Sequence, residues 1–194
     1  MNYLEGLNEQ QEKAVLHKDG PLLVLAGAGS GKTRVITCRI AHLINYHHIK
    51  PWNILAITFT NKAAKEMKER VAHLLGEQMQ GIWIHTFHAA CLNILRQHID
   101  KLGFDRNFLI FDSSDQQVLV KDCMKALNID EKNFPAKSIL SEIGKAKDVL
   151  MDCDQFEAEY GSDFRMRNVA KVYKRYQQML KNNNALDFDD IIMH

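Results

Sequence analysis

Leu22-Leu23-Val24-Leu25-Ala26-Gly27-Ala28-Gly29-Ser30-Gly31-Lys32-Thr33 is the stretch on which the reading of this chain turns. An apolar run that reads as a buried strand passes into small residues and then into a helical pattern. This is the setting of a phosphate-binding P-loop. Glycines let backbone N–H groups curl around a polyphosphate, and Lys32 reaches its terminal groups. The Thr33 hydroxyl suits Mg²⁺, and the helix that starts near Lys32 adds its positive dipole end. Ala26 stands where the motif usually has glycine; it closes the strand and need not touch phosphate.

Length and composition set the bounds. The 194 residues form one large or two small domains, and 46% hydrophobic with 25% charged residues is ordinary for a soluble protein. No stretch has the apolar length of a membrane span, and Met1 to Glu5 lacks the basic and apolar regions of a secretory signal. The net charge of +1 does not by itself announce nucleic acid. Cys38, Cys91, Cys123 and Cys153 lie far apart with no CxxC pair, so a zinc site has no support. Such sparse use suits a reducing cytoplasm and reduced, partly buried thiols, and the lack of a membrane-length apolar run suits a protein without a membrane partner.

The first hundred residues alternate strand and helix. After Leu22–Leu25, a helix is predicted over 33–45, with Ile36, Ile40, Leu43 and Ile44 on one face. A strand over 54–58 leads to a helix from Asn61 to about Gly76, a strand over 82–84, and a helix over 87–98. This alternation predicts an α/β fold with a parallel sheet covered on both faces. From residue 109 to 184 the pattern becomes helical, with three segments and little strand. Lys181 to Asn184 reads as a polar connection, and Ala185 to Ile192 starts something new. A helix beginning at the last residues suggests a fragment.

Further candidates sit at strand ends, where ligands gather in open parallel sheets. Thr60, Asn61 and Lys62 can hydrogen-bond phosphates, and Phe59 can stack on a base. Thr60 or Asn61 equally suits a plain helix cap, and both roles can share one turn. Thr86, Phe87 and His88 repeat the placement one strand later. Leu7-Asn8-Glu9-Gln10-Gln11 precedes the first strand, and a glutamine amide can offer a donor and an acceptor to an adenine edge at once. Asp112, after Phe108-Leu109-Ile110-Phe111, has the look of a metal-holding Walker-B aspartate. Ser113 follows it rather than a glutamate, and Asp112-Ser113-Ser114-Asp115 also reads as a helix cap, which is favoured.

Taken together these residues resemble the start of a superfamily 1 DNA helicase of the UvrD/Rep/PcrA type, over essentially the whole chain. Leu7-Asn8 with Gln11 and Ala14-Val15 resembles the Q motif, Gln11 matching its adenine-reading position with Gln10 as a register alternative, and Ala26 to Thr33 resembles motif I, including its leading alanine. Thr58 to Ala64 resembles motif Ia and Thr86-Phe87-His88 motif Ib. Leu186 to Asp190 resembles the return from helical subdomain 1B to motor domain 1A, with Phe188 a candidate base contact. The resemblance implies an incomplete RecA-like P-loop NTPase sheet over 1–108, a helical subdomain over 109–184 and a return over 185–194.

The same resemblance implies ATP and Mg²⁺ as cofactors. Lys32 and Thr33 are the catalytic candidates, and Thr33 also meets Mg²⁺ through the nucleotide. Gln11, Ala26, Gly27, Ala28, Gly29, Ser30, Gly31 and Arg34 join them around the nucleotide. It implies single-stranded DNA and DNA junctions as partners through Phe59, Thr60, Asn61, Lys62, Thr86, Phe87, His88 and Phe188. Movement 3′→5′ and a role in repair or replication follow from the resemblance alone; a cytoplasmic setting and a monomeric polypeptide are expected besides. Asp112 then opens subdomain 1B, and no Walker-B segment of the family's kind occurs, so the polypeptide is expected not to hydrolyse ATP. Three alternatives stay open: the motor of a RecB- or AddA-like helicase-nuclease, a P-loop kinase for a small molecule, and a module that only binds DNA.

Overall fold

The computed structural model describes residues 3–194, and the chain divides into two compact units, 1–90 and 91–194, with the boundary inside one helix. In the first unit, helix α1 (Glu9–Leu16) opens on a capping box. The Asn8 side chain accepts from the Gln11 amide at 2.9 Å, and the Gln11 side chain accepts from the Asn8 amide at 2.9 Å. Two otherwise orphaned donors are thus satisfied reciprocally. Helix α1 buries Ala14 and Val15 against Val35 and Cys38 of α2 (Lys32–Asn45).

Strand β1 (Leu55–Thr58), helix α3 (Asn61–Leu75), strand β2 (Trp83–Thr86) and helix α4 (Phe87–His98) follow. The two strands pair in parallel, with Leu55 opposite Trp83 and Thr58 opposite Thr86. Parallel neighbours need a crossover, and α3 supplies it. Apolar residues at helical spacing in α3, Met67 and Val71, meet Ile40 and Ala41 of α2 over Ala56 and Ile84 of the strands.

Leu22–Leu25 departs from the expected buried strand. It is irregular, with Leu23 at 82% and Leu25 at 86% exposure. Apolar sequence states what a segment can bury, but a strand also needs a neighbour for its N–H and C=O groups. Among the described residues the sheet of this unit is β1 with β2 alone. For the same reason the sheet is not covered on both faces: Leu55 and Ile57 stay exposed while Ala56 and Thr58 are buried.

The second unit holds β3 (Leu109–Ile110), α5 (Ser113–Ala126), α6 (Ala136–Asp148), α7 (Cys153–Tyr160), α8 (Phe164–Asn182), β4 (Ala185–Leu186) and α9 (Phe188–Met193). Strands β3 and β4 pair in parallel, Leu109 opposite Ala185. The three helical segments predicted from apolar spacing are α5, α6 and α8; their core includes Val120, Ile139, Ile143 and Tyr173. Burial there pushes the Cys123 thiol up to about 11. Helix α7 escapes the apolar pattern because it is short and buries little besides Phe156. Its signal is the Asp152–Gln155 capping box. Asp112 caps α5, accepting from the Ser114 and Asp115 amides at 2.7 and 3.0 Å, as favoured over a metal-holding role. Those amide bonds, that from Asp115 foremost, hold its carboxyl below the usual range.

A buried ion cluster joins α6 to α9. The Lys147 ammonium lies 2.7 Å from both Asp187 and Asp190, and its side chain has no exposed surface. The Tyr176 hydroxyl donates to Asp187 at 2.9 Å, and the Gln177 amide donates to Asp190 at 3.1 Å. Burial alone would raise the Asp187 carboxyl, but the adjacent ammonium and these bonds outweigh it and hold it below its ordinary value. Removing one member of such a cluster leaves charge buried without a partner. Lys147→Ala is expected to cost about 3–5 kcal/mol, read as a lower urea midpoint of the second unit. A midpoint within ~0.5 kcal/mol of wild type, the range of an ordinary surface change, would contradict that account.

Candidate functional site

The loop from Ala26 to Gly31 is built by residues that accept unusual backbone geometry. Gly29 and Gly31 have φ of 75° and 83°, the left-handed region that glycine enters without steric cost. The Ser30 hydroxyl donates to the Gly27 carbonyl at 2.7 Å and tightens the turn. Lys32 folds back over the loop, its ammonium 3.1 Å from the Ala26 carbonyl and 2.6 Å from that of Gly27. Lys32 and Thr33 open α2, so their amides are first-turn donors without an acceptor inside the helix.

Gln11 reaches the loop from α1. Its side-chain amide donates to the Ser30 carbonyl at 2.9 Å while its oxygen serves the capping box. A Cβ on Gly31 would lie 3.0 Å from that amide nitrogen, so Gln11 and the loop are in close register. A cleft of about 230 Å³ runs beside them, lined by Gln11, Ala26, Ser30 and Lys32 among the expected residues, and by Gln10. Among the described residues no carboxylate lines it. Arg34 turns elsewhere: it donates to the Glu5 carbonyl at 2.6 Å and lines a larger cleft of about 840 Å³ with Tyr3, Cys38 and Arg70.

The parallel register brings the other candidates of this unit to one edge. Thr58 and Thr86 are partners at the carboxyl ends of β1 and β2, so the segments after them emerge side by side. Phe59 is 90% exposed, and its ring lies 5.6 Å from that of Phe87, tilted by 50°. Thr60 caps α3, accepting from the Ala63 amide at 3.1 Å, and Thr86 accepts from the Ala89 amide at 3.4 Å. The cap reading therefore holds for Thr60. Asn61, Lys62 and His88 are exposed along the same turns. Beside them burial, with the Lys68 ammonium nearby, pushes the His85 imidazole below its ordinary value. Phe188 belongs to the second unit, half-exposed at the start of α9 behind its Asp187 cap.

What the geometry offers is a cradle for an anion and, on the same unit, a pair of accessible rings. The sequence model of the UvrD/REP helicase N-terminal domain matches residues 7–194. The chain belongs to that family. Similar proteins include one named ATP-dependent DNA helicase PcrA in Bacillus subtilis, 52% identical over 198 aligned positions, covering all of this chain and 27% of that protein. A protein of the same name in Staphylococcus epidermidis is 51% identical over 194 residues, all of this chain and 26% of that protein. Another in Staphylococcus aureus is 48% identical over 190 residues, 98% of this chain and 26% of that protein. The chain thus spans about a quarter of the length of these UvrD/REP relatives.

Sequence reasoning finds the loop and the strand ends, and misses the Lys147 cluster. A lysine next to Ala146 in the apolar stripe of α6 is the available signal. For the loop itself, Gly31→Ala is expected to cost about 1–2 kcal/mol by forcing a side chain into the left-handed region and against Gln11. Gly27→Ala, where an added methyl meets open space, is the control. Equal urea midpoints for the two variants would refute the assignment.

Proposed function

We propose that this chain is the nucleotide- and DNA-gripping part of an ATP-dependent DNA helicase. Residues 1–108 form the first part of a RecA-like motor domain, 109–184 the helical subdomain and 185–194 the return. The reading is carried by one observation: a single unit joins a lysine-topped glycine loop at a helix start to an edge bearing two accessible aromatic rings. The family match and the PcrA-named relatives support it. The loop fits a triphosphate, since donors converge there and no carboxylate lines the adjoining cleft to repel it. The Thr33 hydroxyl would help hold a Mg²⁺ ion, whose contribution would be neutralisation of phosphate charge.

In this reading Lys32 and the amides of Gly27 to Thr33 hold the phosphates, and the Thr33 hydroxyl serves the metal. Gln11, already hydrogen-bonded at the loop, reads the adenine edge, and Arg34 flanks the base from its own cleft. Phe59 and Phe87 stack successive bases of a single strand, while Thr60, Asn61, Lys62, Thr86 and His88 take its phosphates. Phe188 makes a base contact from the second unit. In a protein of the relatives' length, Leu22–Leu25 and the Leu55–Ile57 face receive further elements of the sheet. Movement 3′→5′, action at junctions in repair or replication, a cytoplasmic setting and a monomeric state complete the proposal. A helicase-nuclease or a small-molecule kinase is the weaker reading, because a kinase leaves the Phe59–Phe87 edge without a role.

Turnover is another matter for this polypeptide. Asp112 is spent on a cap, and the Asp130–Glu131 pair sits in the turn after α5, where Asp130 accepts from the Lys132 amide at 3.1 Å. Among the described residues no carboxylate lines the cleft beside the loop to activate water. The 194-residue chain is therefore expected to bind a fluorescent ATP analogue without hydrolysing it, and Lys32→Ala to weaken binding at least tenfold. Phosphate release at the rate of a DNA-stimulated motor would sink this account. Phe59→Ala and Phe87→Ala are each expected to cost about 1–3 kcal/mol in affinity for an oligothymidylate, measured by anisotropy. Unchanged affinity in both variants would remove the single-strand assignment.

A further inference from the structure

Arg34 follows Thr33 directly, and its guanidinium is held from outside its own helix. It donates to the Glu5 carbonyl at 2.6 Å. Glu5 lies inside a tight turn, closed where the Leu7 amide donates to the Leu4 carbonyl at 3.2 Å. The turn uses the Leu4 carbonyl and leaves that of Glu5 free for a partner. Gly6, third in the turn, has φ of 73°, which glycine takes without steric cost. The guanidinium packs on that bare backbone: a Cβ on Gly6 would stand 3.0 Å from its Nη2.

The turn is itself pinned to α2. The Tyr3 hydroxyl is hydrogen-bonded with His42 Nδ1 at 3.0 Å, and the two rings meet edge-on at 5.8 Å. His42 is buried and stacks on Tyr46, ring centres 5.0 Å apart. Leu4 and Leu7 pack against the cluster of Val15, Val35 and Cys38. His42 and Arg34 lie on the same helix, about 12 Å apart along its axis. Tyr3–Gly6 is thus a strap laid along α2, fastened at His42 and closing on Arg34.

The strap orients Arg34 without neutralising it. Arg34 has no ion pair among the described residues, although Glu5 and Glu69 line the same cleft. Burial outweighs the pull of the guanidinium and pushes the Cys38 thiol above its ordinary value, so at neutral pH no thiolate competes for the charge. A charged guanidinium held in one orientation offers a flat face to an aromatic ring.

We propose that Tyr3 and Gly6 are positioning residues: through the Glu5 carbonyl they set the Arg34 guanidinium against the base of a bound nucleotide, and so make the site prefer an adenine nucleotide over a bare polyphosphate. The proposal rests on the reading of the glycine loop as a triphosphate site with Arg34 beside the base. It assigns the base preference to a segment that touches neither base nor phosphate.

The test uses the whole 194-residue chain with an ATP analogue carrying a fluorophore on its ribose, displaced by ATP or by inorganic tripolyphosphate. Tyr3→Phe is expected to weaken ATP about threefold and Gly6→Ala, whose methyl displaces the guanidinium, about tenfold, the range one hydrogen bond is worth. Tripolyphosphate affinity is expected to stay within about twofold in both, since it has no ring to meet Arg34. Arg34→Ala alone is expected to weaken ATP about tenfold. In that background Tyr3→Phe and Gly6→Ala are expected to have no further effect, because residues that act through one group are not additive. A merely structural role leaves their losses additive. Unchanged ATP affinity in both single variants, equal losses for ATP and tripolyphosphate, or full losses in the absence of Arg34 overturn the proposal and leave the loop's assignment standing. If the wild-type chain binds ATP no better than tripolyphosphate, the role of Arg34 beside the base falls with it; if it binds neither, the nucleotide reading itself fails.

Discussion

Two parallel strands must finish on the same edge, and the candidate site of the first unit depends on that constraint. The pairing of Thr58 with Thr86 is a backbone fact, set by ladder hydrogen bonds and by the length of the α3 crossover. Everything after those residues inherits it. Phe59 and Phe87 come within 5.6 Å although 28 positions separate them in sequence; the cap of α3 follows Phe59 directly, and Phe87 is itself the first residue of α4. One-residue slippage would turn every side chain of a strand to the other face, burying Leu55 and Ile57 and exposing Ala56 and Thr58.

The second unit is organised by a different kind of constraint. Lys147 has no exposed side-chain surface and two carboxylates at 2.7 Å. A buried ion cluster is a poor source of stability when compared with apolar packing, but it permits only one arrangement of its members. Here it fixes which turn of α6 faces the start of α9, and so where the chain after β4 goes. The Tyr176 hydroxyl and the Gln177 amide complete the carboxylates' shells from α8. Three helices thereby agree on one geometry.

The legible parts of the sequence are those governed by local rules. Helix α2 begins where Gly31 and Lys32 say it should, α3 stops at Gly76, and Asp112 is a cap. Glycine geometry, capping and apolar period act within a few residues, so the sequence displays them directly. Leu22–Leu25 misleads because strand formation depends on a neighbour that periodicity does not mention. Lys147 escapes notice because a lysine in an apolar stripe looks like an interruption until its distant partners are known. At the site, the chemistry of the loop is readable in advance. The hydrogen bond from Gln11 to Ser30 and the turning of Arg34 into its own cleft are not, since both depend on α1 packing against α2.

The choice of helix caps divides the molecule by acid tolerance. In the second unit α5, α7, α8 and α9 each begin on an aspartate: Asp112, Asp152, Asp163 and Asp187. In the first unit α1 and α3 begin on Asn8 and Thr60, which do not titrate, and α2 on a glycine. A carboxyl held below its ordinary value, as in Asp112 and Asp187, gives its full contribution above the unfolded aspartate range and loses it as pH falls through the folded value. Acidification therefore weakens the starts of α5 and α9, while the Asn8 and Thr60 caps have no proton to gain. An acidic solution becomes a probe that acts on the starts of α5 and α9 before it touches the side-chain caps of α1 and α3.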